Sequence, residues 1–316
     1  MLSKDKSTQN KYKRRNLFDR LRSTLRLTLS NKLALIGLII TISYYVIALM
    51  DTIYPEYLGV SNMSSLTVFL PNYHGNLPSV LPTPPRFTSN IFYIFGTTQY
   101  GIPLLPAILA SLKVDLGYST IVVLVGAAVG VAIGSLAGYF GGFFDDALMR
   151  ATDIFLGLPQ LVFAIAITTI LGRTLQNIVI ALMIIWWPVY ARLSRSQTLA
   201  LKSSPFILAA TAAGSSGIRN IYYHIIPNIF SPIFIQISLD IGSIVLLFAG
   251  LDFIGLNEGN PLLPELGKLI VIGESYLPVG IWWPIFIPGI FLLIFTVSVN
   301  LLGDGLRDSL DPKLRR

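Results

Sequence analysis

The residues that could carry out acid–base or metal chemistry are few in this sequence. The chain has 316 residues, no cysteine and two histidines, His74 and His224. Neither histidine has a Cys or Glu at the spacing of a metal site, and no HExxH motif occurs. Gly267-Lys268 is followed by Leu269, so the Ser or Thr that ends a phosphate-binding loop is missing. We therefore predict no catalytic residue and no metal site in this chain.

A carboxylate within an apolar run is a second candidate for function. Asp240 stands in the stretch QISLDIGSIV, and Gln236 precedes it by about one helical turn. Because an ionised carboxylate is costly inside a bilayer, Asp240 should face other helices, a polar partner or a water-filled cavity. Two interpretations stay open: a buried and hydrogen-bonded Asp240, or a place for Gln236 and Asp240 on a translocation pathway.

Glycines recur at four-residue intervals through one apolar run, at Gly126, Gly130, Gly134, Gly138 and Gly142. On a helix they form a stripe without side chains, which lets a neighbouring backbone approach closely. We predict helix packing at Gly126, Gly130, Gly134 and Gly138. The alternative is that the stripe lines a pathway or an interface that changes.

Residues 209–228, AATAAGSSGIRNIYYHIIPN, separate two long apolar runs and belong to neither. We predict a short helix that is broken at Gly214, followed by a second helix at about 218–226 that ends against Pro227. The second helix is amphipathic, with isoleucine and tyrosine at helical spacing and Arg219 and His224 between them. From this pattern alone, the lipid interface and a groove in a partner protein fit equally well.

The composition indicates the elements that must position these residues. With 53% hydrophobic and 12% charged residues, the chain is typical of an integral membrane protein. A helix crosses the roughly 30 Å hydrocarbon layer with about 20 apolar residues. Runs of that size predict six spans, at 33–50, 116–139, 154–171, 177–193, 229–251 and 282–302.

The distribution of basic residues predicts the orientation of these spans. Ten of the 23 Lys and Arg lie in the first 32 residues, where anionic lipid headgroups would meet them. With six spans, 19 of the 23 share the side of both termini, which places the termini in the cytoplasm. The resulting regions are a basic cytoplasmic segment at 1–32, the first span at 33–50, an external Pro-rich loop at 51–115, a five-helix core at 116–303 with a cytoplasmic loop at 194–228, and a cytoplasmic tail at 304–316.

The cytoplasmic loop resembles the EAA loop of the membrane subunits of binding-protein-dependent ABC importers. That motif has Glu-Ala-Ala, three further residues, Gly, and Pro thirteen residues later. Leu208, Ala209, Ala210, Gly214 and Pro227 stand at these positions, with Leu208 in place of the glutamate. The resemblance implies that the loop is a coupling helix docked in a cleft of an ATPase subunit. The residues predicted for this contact are Leu208, Ala209, Ala210, Gly214, Ile218, Arg219, Tyr222, His224 and Pro227.

The resemblance extends along most of 30–50 and 96–316 and narrows to the dipeptide and oligopeptide permease group, in particular its second, C-type subunit. It rests on SNKLALIGLII at 30–40, AGYFGGFFDDALMRATDIFLGLPQLVFAI at 137–165 and VNLLGDGLRDSLDPKLRR at 299–316. The chain departs from the group on the outer side, where Thr98 replaces an acidic residue, Gly101-Ile102-Pro103 replaces Gly-Arg-Asp, and Leu266 replaces a tryptophan.

What the resemblance implies is an all-α permease subunit of the type I ABC importer fold, with six transmembrane helices in the cytoplasmic membrane. Its expected partners are a homologous second permease, two cytoplasmic ATPase subunits, an extracytoplasmic substrate-binding protein and membrane lipid, but no nucleic acid. The chain itself is expected to be non-catalytic and to bind no cofactor, since ATP and Mg belong to the ATPases. Peptide is the leading cargo, and oligosaccharide, nickel or another non-peptide solute is the alternative.

An ion-driven secondary carrier and a membrane scaffold are the alternatives to an ABC permease. An ion-driven secondary carrier should show inverted repeats and several intramembrane carboxylates, of which Asp240 is the clear example here. A membrane scaffold needs neither a substrate cavity nor an ATPase. Substrate-stimulated ATP hydrolysis that survives the collapse of ion gradients would exclude both.

Overall fold

The computed structural model describes residues 31–53, 81–86, 91–99, 101–257 and 265–310. The α-helices in these ranges are α1 (Lys32–Ile53), α2 (Leu104–Phe140), α3 (Gly142–Leu156), α4 (Gln160–Leu171), α5 (Leu175–Lys202), α6 (Pro205–Ala212), α7 (Gly217–Asn220), α8 (Ile226–Phe253), α9 (Leu266–Glu274) and α10 (Trp283–Leu310). A π-helical turn at Ile221–Ile225 joins α7 to α8. The predictions for residues 1–30, for His74 and for about half of the external loop lie outside the described residues.

Five helical segments in the described part of the chain are long and apolar enough to cross a membrane. They are α1, α2, α5, the segment Gly217–Phe253 and α10. The pair α3 and α4 adds a sixth if the two are counted as one span bent by 90°. The sequence-based prediction of a helical membrane protein with about six spans is therefore confirmed.

The predicted third span, 154–171, is wrong as a continuous helix. The helix that begins at Gly142 ends at Leu156, and a new helix begins at Gln160 after a 90° bend. Pro159 explains the break, because proline disfavours helical backbone at the residue before it. The residues 142–153, which were expected to form a loop, are therefore helical.

Several predicted ends are also wrong, because the helices extend beyond the apolar runs. The helix α2 begins at Leu104, so 104–115 are not part of an external loop. Its 37 residues span about 55 Å, well over the roughly 30 Å hydrocarbon layer. The helix α5 continues to Lys202, within the predicted loop 194–228, and α10 continues past 303 to Leu310.

The long helix α2 lies at the centre of the bundle, where it contacts α1, α5 and α8. Its contact with α5 is the most extensive in the described chain. One apolar core, which includes Leu112, Leu116 and Phe295, joins the first half of α2 to α1, α8, α9 and α10. A second core, which includes Val123, Ile178 and Ile229, joins the rest of α2 to α5 and α8. These two cores fix the elements that carry the candidate site.

Candidate functional site

Residues 205–228 form a compact helical loop at the end of the bundle where α2 and α5 finish. We call this end of the bundle the loop end, and the other end the opposite end. The helix α6 ends at Ala212, and Gly214 follows with φ of +85°, a conformation that favours glycine. Ser216 then caps α7, because its Oγ accepts a hydrogen bond from the N–H of Arg219 at 3.4 Å. The break at Gly214 agrees with the prediction.

The second helix does not end against Pro227, contrary to the prediction. After α7 the chain makes the π-helical turn Ile221–Ile225 and passes directly into α8. The N–H of Ile226 bonds to the carbonyl of Ile221, five residues back. This wider turn accommodates Pro227, whose ring would otherwise crowd the preceding turn and which has no N–H to donate. Residues 217–253 are therefore one helical segment.

The inner side of the loop is held by a buried asparagine. Asn220 is fully buried, and its Nδ2 donates hydrogen bonds to Tyr139 Oη at 2.9 Å and to Thr211 Oγ1 at 3.0 Å. These bonds connect α7 to the end of α2 and to α6. Gly217 lies against the same ring, because a Cβ there would stand 2.8 Å from Tyr139 Cε1. The loop is thus fixed to α2 by polar contacts as well as by packing.

The outer side of the loop is apolar and aromatic. Leu208 is 58% exposed, and Ile218 and Tyr222 are also exposed. Tyr223 stands edge-on to Tyr222, with 5.0 Å between ring centroids, and the guanidinium of Arg219 lies 6.0 Å from the Tyr223 centroid. The result is a small surface with one cation and large apolar side chains, which suits a groove in another protein.

The structure brings the predicted coupling residues together on this loop. Ala209, Gly214, Pro227 and the exposed residues just named face outward, whereas Ala210 and His224 are partly buried. The sequence reasoning missed Asn220, Tyr139 and Thr211, which hold the loop in place. In the sequence, Asn220 is one of the polar residues of the amphipathic helix. The available signal was its spacing of four residues from the partly buried His224, which puts the two side chains on the same side of the helix.

Ion pairs attach α3 to the end of α5 near the loop. Arg195 donates to both carboxylate oxygens of Asp145, at 2.5 and 2.7 Å, and Asp145 is buried. This two-bond geometry is the stronger form of the Arg–carboxylate pair. Arg192 and Asp153 form a second pair at 2.5 Å, but both side chains are more than half exposed. Screening by water makes that second pair a weak contribution.

The glycine stripe of α2 lies against α5. A Cβ added at Gly130 or Gly134 would overlap the backbone oxygens of Trp187 and Ala191. Gly138 approaches Arg195 O, and Gly126 approaches the Cβ of Trp186. The contact is therefore between backbones, which favours the packing interpretation of these four glycines.

Asp240 is buried between α8 and α5. Its Oδ2 accepts from Trp186 Nε1 at 3.0 Å, and its Oδ1 accepts from Gln236 Nε2 at 2.8 Å. With 6% of its surface exposed, Asp240 contributes polar contacts to the bundle in this arrangement. This geometry favours the structural interpretation, and the pathway role of Gln236 and Asp240 stays a prediction.

An apolar groove runs between α2 and α8. Its lining comes from one face of each helix: Leu124, Ala127, Ala128, Val131 and Ala132 from α2, and Ile226, Ile229, Phe230, Ile233 and Ile237 from α8. The groove reaches the first turns of α8, directly after the loop. It offers an apolar surface for lipid, for a second helical subunit or for a pathway.

Thr98 and Leu266, two of the residues that differ from the pattern of the permease group, are buried at the opposite end of the bundle. Thr98 is 3% exposed, and its N–H bonds to the carbonyl of Ile102 at 2.8 Å. Leu266 is 2% exposed, and its N–H bonds to Asp115 Oδ2 at 3.0 Å. Both residues are therefore packed inside the protein at the opposite end, and neither side chain presents a surface to a cargo here.

A bundle with five or six helical segments long and apolar enough to cross a membrane defines a polytopic membrane protein, and a helical loop is exposed at one of its ends. Residues 130–316 match the family described as binding-protein-dependent transport system inner membrane component. The chain belongs to this family, and it is a multi-pass protein of the cytoplasmic membrane.

Curated relatives cover most of the chain. It is 33% identical over 288 residues to the dipeptide transport system permease protein DppC of Alkalihalophilus pseudofirmus, covering 90% of this chain and 87% of the relative. It is 34% identical over 239 residues to the di/tripeptide transport system permease protein DppC of Pseudomonas aeruginosa, covering 74% and 78%. It is 37% identical over 219 residues to the probable D,D-dipeptide transport system permease protein DdpC of Escherichia coli, covering 69% and 73%.

Proposed function

We propose that this chain is a permease subunit of an ATP-driven importer and forms half of a transmembrane pathway for peptides. The relatives that support this proposal are permeases of dipeptide, di/tripeptide and D,D-dipeptide transport systems. Their similarity covers most of the chain, including the loop and the helices that hold it. Peptide is therefore preferred over oligosaccharide as the cargo.

The observation that carries the coupling role is the two-sided loop. Its inner side is fixed to α2 through Asn220 and Tyr139, while its outer side exposes Leu208, Ile218 and Tyr222. A surface that is rigidly attached to the bundle can transmit a displacement imposed by a bound partner. We infer that this partner is a cytoplasmic ATPase subunit and that apolar contact at Leu208 takes the place of a carboxylate contact.

The remaining partners follow from the same proposal. A homologous permease would supply the other half of the pathway, and the apolar groove between α2 and α8 is a surface that it could cover. Two ATPase subunits would hold ATP and Mg, so that this chain performs no bond-making chemistry and binds no cofactor. A substrate-binding protein would deliver cargo at the opposite end.

Reconstitution tests this function directly. The chain would be purified with its partner permease and ATPases, inserted into liposomes, and supplied with binding protein loaded with labelled di- or tripeptide. We expect peptide-stimulated ATP hydrolysis and uptake, both unchanged when ionophores collapse the ion gradients. Uptake that stops with the gradients would indicate a secondary carrier. Stimulation by oligosaccharide in place of peptide would overturn the cargo, and absence of any ATPase association would overturn the importer.

A further inference from the structure

Three buried carboxyl groups from separate parts of the chain lie together at the opposite end of the bundle. Asp115 comes from α2, Asp252 from the end of α8, and Glu265 from the residue before α9. We call Asp115, Asp252 and Glu265 the carboxyl cluster. Their exposed fractions are 3%, 4% and 0%, so all three are removed from water. Each is close enough to another member for the charges to interact.

Two members of the carboxyl cluster have donors that explain their burial. Asp115 Oδ2 accepts from the N–H of Leu266 at 3.0 Å. Both carboxylate oxygens of Glu265 accept from Asn257 Nδ2, at 3.1 and 2.9 Å. These bonds connect α2 and the end of α8 to the segment that begins α9.

Asp252 differs from the other two. Neither of its carboxylate oxygens has a hydrogen-bonding partner among the described residues, although both are buried. Its polar neighbours are Glu265 and Asn257, with Lys268 as the charged group of opposite sign. A buried carboxylate without a donor costs free energy, and a second carboxylate beside it adds repulsion. A proton on one of the two groups neutralises that group, which removes the repulsion. Its O–H also donates the missing hydrogen bond to the other carboxylate.

Charge balance within the carboxyl cluster also favours a bound positive charge. The groups that face Glu265 are Asp115 from α2, Asp252 from α8 and Lys268 from α9. Three ionised carboxyl groups against one ammonium would leave an excess negative charge in a buried site. Within the described ranges, no group of three or more acidic, His or Cys side chains is arranged to hold a metal ion. A proton needs no such coordination geometry.

We propose that Asp252 and Glu265 share a bound proton, and that this proton-binding site holds the start of α9 against α2 and α8. The hydrogen bond from one carboxyl group to the other would give Asp252 the partner that it lacks. Asn257 would remain the donor to Glu265. If the start of α9 separates from α8, both groups meet water and the proton is released.

The expected pH dependence follows from Glu265, which lies outside the membrane-spanning helices. Burial, with Asp252 as the next cause, raises the pKa of Glu265 from its ordinary value of 4.5 to about 10. The packed protein therefore holds a proton that an unpacked Glu265 would lose. The stabilisation is complete below the ordinary pKa and is lost as the pH rises toward the raised value.

The experiment measures thermal unfolding of the complete transporter in lipid nanodiscs between about pH 6 and pH 9, a range chosen to lie inside that window. For the wild type we expect the melting temperature to fall by about 2–4 °C per pH unit for one linked proton. Glu265→Gln should remove this slope, because it removes the group that binds the proton. Asp252→Asn should reduce it, because an amide donates to Glu265 without a proton but leaves Glu265 buried. The matched control is Glu274→Gln, an exposed carboxylate on α9 that should keep the wild-type slope.

Infrared difference spectroscopy gives a second readout that does not depend on the stability of the variants. The wild type at neutral pH should show a protonated-carboxyl band that Glu265→Gln lacks and Glu274→Gln retains. Equal slopes in all four proteins, or a melting temperature that follows Na⁺ concentration at fixed pH, would overturn the proposal. Because neither measurement involves peptide uptake, failure here is distinguishable from failure of the proposed transport function.

Discussion

Asn220 shows what an individual residue adds to the loop. The amphipathic pattern placed Ile218 and Tyr222 on one apolar face, and both are exposed in the structure, but the pattern grouped Asn220 with the polar residues between them. Asn220 is instead fully buried, because its amide finds Tyr139 Oη on a helix 81 residues earlier. A partner so distant in sequence leaves no periodic signal, so helical spacing alone could not predict this contact.

Replacing Asn220 should separate ATP hydrolysis from transport. In Asn220→Ala the loop loses hydrogen bonds to α2 and α6, each with a net worth of about 1 kcal/mol. We expect uptake to fall about fivefold or more, as a loss of 1–2 kcal/mol implies, while ATP hydrolysis is retained. Both rates would be measured in the same proteoliposomes.

The control for this change is Asn228→Ala. The Asn228 side chain is exposed and donates to the carbonyl of His224 in the same helical segment, at 2.6 Å. The Asn228→Ala transporter should take up peptide at the normal rate. If Asn220→Ala lowers uptake and ATP hydrolysis in parallel, the contact serves folding or assembly and does not transmit motion.

Gly214 is the second residue on which the loop depends. Its φ of +85° is strained for a β-branched residue, at a cost of about 1–3 kcal/mol. Gly214→Val should therefore uncouple ATP hydrolysis from uptake or prevent co-purification of the ATPases. Ala213→Val adds the same side chain next door, at an exposed position with φ of −79°, and should be tolerated. Normal transport by Gly214→Val would show that the bend is unnecessary.

At the scale of the helices, the glycine face of α2 decides how closely α5 can pack. The four-residue spacing made this contact predictable, although the sequence could not identify α5 as the neighbour. In Gly134→Ala the new methyl group would overlap the backbone oxygen of Ala191. A backbone atom cannot move aside as the end of a flexible side chain can. Overpacking of this kind costs about 1–3 kcal/mol. We expect a lower melting temperature and a lower yield of assembled transporter.

Gly117→Ala is the control on the same helix. A Cβ there meets no atom within 4 Å, and alanine favours helix by about 1 kcal/mol over glycine. It should leave the melting temperature unchanged or slightly higher. Equal destabilisation by Gly117→Ala and Gly134→Ala would mean that the close contact between α2 and α5 is not what these glycines provide.

The errors in the predicted elements have a common physical origin. Hydropathy detects the part of a helix that lies in lipid, but the helices α2 and α5 continue where their polar residues find partners. Arg195 is an example, since its bond to Asp145 allows the charged end of α5 to pack against α3. Pro227 was assigned as a helix end because a proline usually interrupts the backbone hydrogen bonds. A π-helical turn supplied a conformation in which the helix continues.

For the whole molecule, the antiparallel course of α2 and α8 separates two functional ends. The loop lies at one end, and the carboxyl cluster lies at the other. The excess of Lys and Arg on one side predicts that the loop end is cytoplasmic.

This orientation can be measured simply, because the chain contains no cysteine. Single cysteines would be introduced at exposed positions, Ser203→Cys at the loop end and Glu274→Cys in α9 at the opposite end. A membrane-impermeant thiol reagent should label Glu274→Cys in right-side-out vesicles and Ser203→Cys in inside-out vesicles. The reverse pattern would invert the proposed topology, and labelling of both on one side would contradict the span count.

The unbroken helix from Gly217 to Phe253 has a mechanical consequence. At about 1.5 Å per residue its 37 residues are about 55 Å long, with the loop at one end and Asp252 near the other. In the proposed importer, a displacement at Gly217 would be carried along this helix, past the π-helical turn and Pro232, toward Asp252 and Glu265. The protonation of that distant pair would then report, from across the membrane, the stroke imposed by the ATPases.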